Sequence, residues 1–215
     1  MTIKYCLVAL GYLIGSIPFG LVLGKCLGID IRRAGSGNIG ATNVNRLLGK
    51  KMGAITLLAD AGKAVLPMLA AARLLGNSPN AQLWVAATGG AAFLGHLYPL
   101  YLKFKGGKGV ATALGIFFYI HPLALAICIL IFVAVVRIWG YVSLGSLTAA
   151  LMMPALVFCL DGPGHKAYLA LLIAALIWLK HADNLRRLIK HQENSIWKKA
   201  GNGPETGGEG EENDE

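Results

Sequence analysis

Three short polar segments hold most of the side chains that could bind an anion or move a proton. They are RRAGSGNIGATNVNRLLGKK (residues 32–51), KFKGGKGVATALG (103–115) and HADNLRRLIKHQE (181–193), and apolar sequence flanks each of them. Glycine-rich loops let backbone N–H groups approach an anion closely, and the N-terminus of a following helix adds a favourable dipole. This mixture of glycine, hydroxyl, amide and basic residues predicts phosphate binding.

The first segment is predicted to form one phosphate-binding loop, with an arginine whose planar fork suits a bidentate grip on phosphate. Its candidate residues are Ser36, Gly37, Asn38, Gly40, Thr42, Asn43 and Arg46. GSGNIG (35–40) also matches the dinucleotide pattern G-x-G-x-x-G, with Asp60 beyond it. That fingerprint requires a preceding β-strand. A helix-length apolar run precedes it here, so we disfavour a dinucleotide site.

The second segment is predicted to form a second phosphate-binding loop that leads into a helix. Its candidate residues are Lys105, Gly106, Gly107, Lys108 and Gly109, with the hydroxyl of Thr112 in the first helical turn. The alternative is an ordinary loop that is basic only because membrane topology requires Lys and Arg there. Topology does not require the accompanying Gly, Ser, Asn and Thr, which favours a binding function.

The third segment offers a candidate for proton transfer. His181 and Asn184 are spaced i, i+3 and so share one helical face, with Arg187 one turn further on. His181 could accept a proton or donate to a phosphate, although a lone histidine at a membrane boundary is often structural. Glu193 is expected to neutralise the local basic cluster.

The composition indicates a membrane protein. The chain is 55% hydrophobic and 14% charged, with mean hydropathy +0.58, whereas soluble domains are about 25% charged. Its basic residues lie at the ends of apolar runs, which favours anionic lipid or substrate over nucleic acid. We predict one membrane domain over 1–200 and a disordered acidic tail over 201–215, because that tail lacks apolar residues that could pack.

Seven apolar stretches predict an all-α, polytopic fold with seven transmembrane helices. The predicted spans are 4–26, 53–75, 83–102, 109–121, 122–138, 140–160 and 166–182, with HPL (121–123) as the turn between the fourth and fifth. Residues 27–52 then form an inner loop.

The distribution of basic residues predicts the orientation of these spans. With the N-terminus outside and the C-terminus cytoplasmic, only Lys4, Arg73 and Lys166 lie outside. The inner residues are Lys25, Arg32, Arg33, Arg46, Lys50, Lys51, Lys103, Lys105, Lys108, Arg137, Lys180, Arg186, Arg187, Lys190, Lys198 and Lys199.

Two ionisable residues fall inside the second predicted span. Asp60 and Lys63 are spaced i, i+3; such groups are costly in a bilayer and usually face the bundle interior. They are expected to pair with each other, and could border the site. His96 and Ser143, near the inner ends of their spans, are further candidates. The isolated cysteines and the lack of a P-loop signature predict neither a metal site nor a cofactor.

The three polar segments together resemble the motifs of a known family. SGNIGATNVNR (36–46), KGGKGVAT (105–112) and HADNLRRLIKHQE (181–193) resemble, in order, the three motifs of the bacterial PlsY family of integral membrane acyl-phosphate:glycerol-3-phosphate acyltransferases. The resemblance runs from the first helix to about residue 193. It departs at Leu185 and His191, where isoleucine and glycine are usual.

The resemblance implies an enzyme of the bacterial inner membrane with its site at the cytoplasmic face. It would transfer an acyl group from acyl phosphate to glycerol 3-phosphate, giving 1-acyl-glycerol-3-phosphate (lysophosphatidic acid), the first acylation of phospholipid biosynthesis. The implied partners are the two substrates and membrane lipids, and association with the enzyme that supplies acyl phosphate stays open. The CoA-dependent signature H-x-x-x-x-D is absent from the sequence.

The resemblance also assigns roles to residues, which we combine with those predicted from the three segments. The expected catalytic residues are Ser36, His181 and Asn184; the expected substrate-binding residues are Gly37, Asn38, Thr42, Asn43, Arg46, Lys105, Gly106, Gly107, Lys108, Gly109, Ser143 and Arg187; Glu193 is expected to be structural.

The expected mechanism is direct attack of the glycerol hydroxyl on the activated acyl carbonyl, without a covalent acyl-enzyme. The base is either His181 or a phosphate oxygen of the substrate. Two other functions remain alternatives. One is a transporter or channel for an organic phosphate, disfavoured because the polar groups gather on one side. The other is a structural membrane protein, which leaves the glycine-rich loops without a purpose.

Overall fold

The structure, a computed structural model, describes residues 2–197 and is helical throughout, with no β-strand in that range. The predicted tail 201–215, together with Lys198 and Lys199, lies outside the described residues. The helices are α1 Ile3–Gly15, α2 Phe19–Cys26, α3 Ala41–Leu75, α4 Ala81–Leu97, α5 Val110–Ile120, α6 Pro122–Trp139, α7 Val142–Asp161, α8 His165–Lys180 and α9 Ala182–Ile189, and a short 3₁₀ turn covers Leu100–Leu102.

Several of these helices are long and apolar enough to cross a membrane. Within the described part of the chain there are four, Ile3–Cys26, Ala41–Leu75, Pro122–Trp139 and Val142–Asp161, or five if α8 and α9, bent by 58°, count as one span. Helix α4 has 17 residues and α5 has 11, fewer than the roughly 20 of a full span. Each of the seven predicted stretches contains a helix, and many large apolar side chains are exposed on the outside, as a lipid-facing surface requires.

The turn predicted at HPL is confirmed. Helix α5 ends at Ile120, and α6 begins at Pro122, where a missing N–H costs nothing because the first helical N–H has no partner. The Nδ1 atom of His121 accepts a hydrogen bond of 3.2 Å from the backbone N–H of Ala124 and so caps α6.

The first predicted span is interrupted, which the sequence analysis did not anticipate. Helix α1 stops at Gly15, and α2 begins after Pro18. Proline has no N–H, so it cannot donate to the carbonyl of Ile14 four residues earlier. The N–H of Ile17 bonds to that carbonyl instead, at 3.1 Å.

The prediction that 27–52 forms a loop is wrong for its second half, because α3 begins at Ala41. This helix bends sharply at Gly49, whose φ of 84° lies in the left-handed region that glycine adopts without strain. Its first arm, 41–48, folds back so closely that a Cβ added to Gly53 would lie 2.5 Å from Cβ of Asn45.

Two apolar cores hold the polar segments in place. The large core joins α1 and α3–α8 and includes Met68, Phe93 and Ile116. A smaller core of Leu21, Ile31, Ile39 and Val44 packs α2, the loop after it and the first arm of α3 together. The first polar segment is therefore anchored by its own apolar residues rather than suspended between spans.

Candidate functional site

The three polar segments meet in one cavity of about 400 Å³. Of the sixteen residues assigned a catalytic, substrate-binding or structural role, twelve line it: Ser36, Asn38, Thr42, Asn43, Arg46, Lys108, Gly109, Ser143, His181, Asn184, Arg187 and Glu193. Four predicted residues do not line it: Gly37, Lys105, Gly106 and Gly107. Segments separated by more than a hundred residues in the sequence thus form a single polar site.

Asn43 holds the first loop in shape through three hydrogen bonds. Its Oδ1 accepts from the backbone N–H of Ser36 at 2.8 Å, and its Nδ2 donates to the carbonyls of Ile31 at 3.0 Å and Ala34 at 3.2 Å. These bonds hold the backbone at Ser36 in place, and the substrate-binding role expected for Asn43, which also lines the cavity, stays a prediction.

Gly37 acts as a turn residue next to Ser36. It has φ 70°, and its N–H donates to the carbonyl of Ala34 at 3.1 Å. The exposed side chains of Ser36, Thr42 and Arg46 reach the cavity from this loop and from the first arm of α3.

The second loop does not offer its first two glycines as free anion donors. The N–H of Gly106 bonds to the carbonyl of Leu97 at 3.2 Å, and that of Gly107 bonds to the carbonyl of His96 at 3.1 Å. These two bonds join the loop to the end of α4, and the binding role expected for the two glycines stays a prediction. The N–H groups at the start of α5, which lack i−4 partners, remain the donors on this side of the cavity.

The two lysines of this loop differ in position. Lys108 lines the cavity, where its Nζ donates to Oδ1 of Asn184, whereas Lys105 is exposed outside the cavity lining. Burial lowers the pKa of Lys108 from its ordinary value. A partly desolvated ammonium at this place gains from any anion that enters the cavity.

His181 lies at the bend between α8 and α9 and is buried. Its Nδ1 lies 2.8 Å from the carbonyl of Ile177; a carbonyl can only accept, so Nδ1 carries the proton and Nε2 is an acceptor. The neutral ring therefore offers Nε2 as a hydrogen-bond acceptor.

Glu193 lines the cavity and links helices α7 and α9. It accepts hydrogen bonds from Oγ of Ser143 at 2.9 Å, Nδ2 of Asn184 at 2.6 Å and Nε of Arg187 at 2.7 Å. Burial acts to raise the pKa of Glu193, but these three hydrogen bonds outweigh it and hold the pKa below its ordinary value. These contacts agree with the structural role expected for Glu193.

Asp60, Lys63 and His96 form a buried group at the inner wall of the cavity. The predicted Asp60–Lys63 pair is present, with 2.7 Å between Oδ1 and Nζ, and Nζ also lies 2.8 Å from Nδ1 of His96. Asp60 and His96 contribute to the cavity lining.

An apolar groove of about 490 Å³ extends from the polar cavity along α5–α8. Nine residues line both spaces: Ala41, Thr42, Asn45, Leu57, Val110, Ala111, Phe132, Val142 and Ser146. The two spaces therefore form one continuous cleft, polar at one end and apolar at the other.

Some of the cavity lining was missed by the sequence analysis. Asn194, Ser195 and Ile196 line the cavity from a non-helical segment, in which the N–H of Ile196 donates to the carbonyl of Gly140 at 2.8 Å. No periodicity or motif marks this segment. Asn45, one residue before the predicted Arg46, could have been found by extending the helical face of Thr42. In residues 2–197 no group of three or more His, Cys, Asp or Glu side chains could hold a metal ion.

Comparison with known proteins identifies the family. The profile described as glycerol-3-phosphate acyltransferase matches residues 5–191. The glycerol-3-phosphate acyltransferase of Geotalea daltonii is 50% identical over 194 residues, which cover 90% of this chain and 98% of that protein. The protein of the same name from Desulfotalea psychrophila is 50% identical over 190 residues, covering 88% and 96%.

Two solved structures share the fold. Crystal structures of PlsY, an integral membrane glycerol 3-phosphate acyltransferase, are 40% identical in sequence. The glycerol 3-phosphate form has a TM-score of 0.84 and covers 90% of this chain and 95% of that one, and the lysophosphatidic acid form has 0.81 with 89% and 94%. A chain with this sequence, this fold and a basic polar cavity joined to an apolar groove belongs to the PlsY family of glycerol-3-phosphate acyltransferases.

Proposed function

We propose that the chain transfers a fatty acyl group from acyl phosphate to glycerol 3-phosphate, giving 1-acyl-glycerol-3-phosphate and inorganic phosphate. The observation that carries this proposal is the continuity of the basic cavity with the apolar groove through nine shared residues. Such a cleft suits a reaction whose substrates both bear phosphate while one also bears a long hydrocarbon chain. The related PlsY structures in glycerol 3-phosphate and lysophosphatidic acid forms support the acceptor and the product.

The polar cavity would bind the phosphate groups. Arg46 and Lys108 supply positive charge, and Ser36 and Thr42 supply hydroxyl donors. The N-terminus of α5 adds unpaired N–H groups next to Lys108. Lys105, exposed at the edge of the same loop, stays a predicted contributor to phosphate binding.

His181 and Asn184 would act on the acceptor hydroxyl. The Nε2 lone pair of His181 can accept a hydrogen bond from the attacking hydroxyl and orient its oxygen towards the acyl carbonyl. The proton of that hydroxyl passes either to Nε2 of His181 or to a phosphate oxygen of the substrate. Both routes end in the same products, since the reaction converts a hydroxyl and an acyl phosphate into an ester and hydrogen phosphate.

No covalent acyl-enzyme is included in this mechanism. Ser–His–acid catalysis needs an acid that orients the histidine, but Nδ1 of His181 is bonded to a backbone carbonyl and the side chain of nearby Asp183 is 80% exposed. Acyl phosphate is already activated. Positioning and stabilisation of the developing oxyanion by Ser36, Lys108 and neighbouring N–H groups can supply much of the rate.

We also propose seven membrane-crossing helices, with the N-terminus outside and the site at the cytoplasmic face of the bacterial inner membrane. The support is the concentration of Lys and Arg at the site end of the helices, which the positive-inside rule places in the cytoplasm. Helix α5 is too short to cross the full hydrocarbon layer alone, so as a shortened span its ends would be shielded from lipid by neighbouring helices. Phospholipid precursors made there would remain in the membrane.

The proposed reaction can be tested by an acyl-transfer assay on the protein reconstituted in lipid. Glycerol 3-phosphate is supplied with either palmitoyl phosphate or palmitoyl-CoA. We expect lysophosphatidic acid from palmitoyl phosphate alone, and a loss of at least about a hundredfold in kcat/KM in Ser36→Ala and His181→Ala. Asp183→Asn, a matched exposed neighbour of His181, should retain wild-type activity.

Two results would contradict the proposal. Product formed from palmitoyl-CoA as readily as from palmitoyl phosphate would refute the donor. Absence of product from both donors in a folded sample would refute the reaction and favour the alternative of phosphate transport, which is measured with glycerol 3-phosphate in sealed liposomes.

A further inference from the structure

A buried charged cluster lies behind the glycine-rich loop 105–109 and has no role in the chemistry proposed above. It consists of Asp60, Lys63 and His96, which are 1%, 2% and 4% exposed. Nζ of Lys63 lies 2.7 Å from Oδ1 of Asp60 and donates to the carbonyl of Ile17 at 3.0 Å, at the break between α1 and α2. Such a cluster is costly to bury, so its position next to the site invites a functional explanation.

The cluster determines which ring nitrogen of His96 carries the proton. An ammonium group has donors only, so Nδ1 of His96, 2.8 Å from Nζ of Lys63, must accept. In the neutral imidazole the proton is then on Nε2. Lys63 thus orients the ring, and Asp60 in turn holds Lys63.

The Nε2 edge of His96 faces the glycine-rich loop. A Cβ added to Gly107 would collide with Nε2, and the N–H of Gly107 donates to the backbone carbonyl of the same histidine at 3.1 Å. Gly107 therefore rests between the ring and the main chain of His96. The next residue is Lys108, which enters the polar cavity, and Gly109 then begins the turn into α5.

We propose that His96 is a positioning residue for loop 105–109, with its ring held by Lys63 and Asp60. By supporting Gly107, the ring fixes where Lys108 and the N-terminus of α5 meet a phosphate oxygen. The identification of that phosphate with a substrate rests on the proposed function. The dependence of the loop on the ring is a property of the fold and can be tested separately.

The first test is a double-mutant cycle of Gly107→Ala and His96→Asn. Asparagine keeps an oxygen that can accept from Lys63 but removes the ring edge, so it makes room for a Cβ at residue 107. We expect each single change to raise the KM for glycerol 3-phosphate about tenfold with less than about a twofold change in kcat. In the His96→Asn background, Gly107→Ala should add less than about twofold.

Two further variants make the cycle specific. Gly62→Ala is the matched glycine control, because a Cβ there meets no atom within 4 Å, and it should change nothing in either background. His96→Gln can place an N–H near the position of Nε2, so it should recover most of the KM lost in His96→Asn. A merely structural role for the ring predicts no such recovery.

A second readout does not depend on activity. Hydrogen–deuterium exchange of residues 103–112 should accelerate at least about tenfold in His96→Asn, while exchange in the α7 peptide stays as in wild type. Should the wild-type protein form no product from either donor, the proposed function fails and this exchange measurement still decides the inference. His96→Ser provides a second variant for it, should His96→Asn not fold.

The inference is overturned by either of two results. One is an equal cost of Gly107→Ala in the wild-type and His96→Asn backgrounds, which means the glycine does not act through the ring. The other is unchanged exchange of loop 105–109 in the folded His96 variants.

Discussion

The two ends of the cleft are built in different ways. At the polar end, interrupted helices and loops bring together side chains that are held by individual hydrogen bonds, as Glu193 holds Ser143, Asn184 and Arg187. At the apolar end, helices α5–α8 supply mainly aliphatic and aromatic surface. The polar end should therefore depend on single bonds, and the apolar end on its summed volume.

The largest effect is expected from Asn184→Leu, which has a similar volume but cannot hydrogen-bond. It leaves Lys108 and Glu193 each without a partner that they have now. We expect kcat/KM to fall at least about a hundredfold, equivalent to about 3 kcal/mol. Steady-state kinetics with palmitoyl phosphate measure the change in kcat/KM. Wild-type kinetics in the folded variant would contradict the claim that the polar end depends on single hydrogen bonds.

The second prediction concerns a buried hydrogen bond at the polar end. Nδ1 of His181 donates to the carbonyl of Ile177 at 2.8 Å, at the bend between α8 and α9. His181→Leu removes this buried bond and should lower the free energy of unfolding by about 1.5 kcal/mol, measured as a lower Tm. Asp183→Asn, on the exposed side of the same turn, is the control, and an unchanged Tm in His181→Leu would contradict the bond.

The third prediction tests the volume of the apolar end. Ala149→Leu adds carbon atoms to a half-buried side chain that lines the groove. Each buried CH₂ of the acyl chain contributes about 0.8 kcal/mol, so loss of room for two of them should lower kcat/KM for palmitoyl phosphate about tenfold relative to decanoyl phosphate. The KM for glycerol 3-phosphate should not change. Leu151→Phe, on the exposed face of the same helix, is the control.

The smallest effect is expected where the two ends meet. Leu57 lines both spaces, whereas its neighbour Leu58 is 71% exposed and lines neither. Leu57→Ala should raise the KM for palmitoyl phosphate by about threefold to tenfold through lost apolar contact, and Leu58→Ala should leave it unchanged. Equal effects of both substitutions would show that the groove is not where the acyl chain binds.

The same division explains how much could be predicted from the sequence. Apolar runs predict helices well, because a membrane leaves the backbone few alternatives, and the turn at Pro122 is a local signal. The bend at Gly49 and the helical arm that begins at Ala41 have no such local signal in the sequence. The arm is polar, and the small core around Val44 holds it in place. Only tertiary packing stabilises it.

The site residues follow a similar rule. Residue types in the three segments predicted which side chains gather at the cavity, as for His181 and Asn184. Their individual tasks depend on partners distant in the sequence. Nothing local indicates that Asn43 bonds only to its own loop, or that the N–H groups of Gly106 and Gly107 are taken by the end of α4.

The shortness of α5 has a consequence for the acyl donor. With 11 residues, this helix rises roughly 16 Å, about half the thickness of a bilayer's hydrocarbon layer. Because the N-terminus of α5, where we propose that phosphate binds, adjoins the apolar groove, a lipid substrate would not have to leave the membrane to react. Extracting a palmitoyl chain into water costs on the order of 12 kcal/mol. Water and the soluble substrate would instead enter the polar cavity at the depth of the lipid chains. The new phospholipid precursor would then form with its chain already in the bilayer.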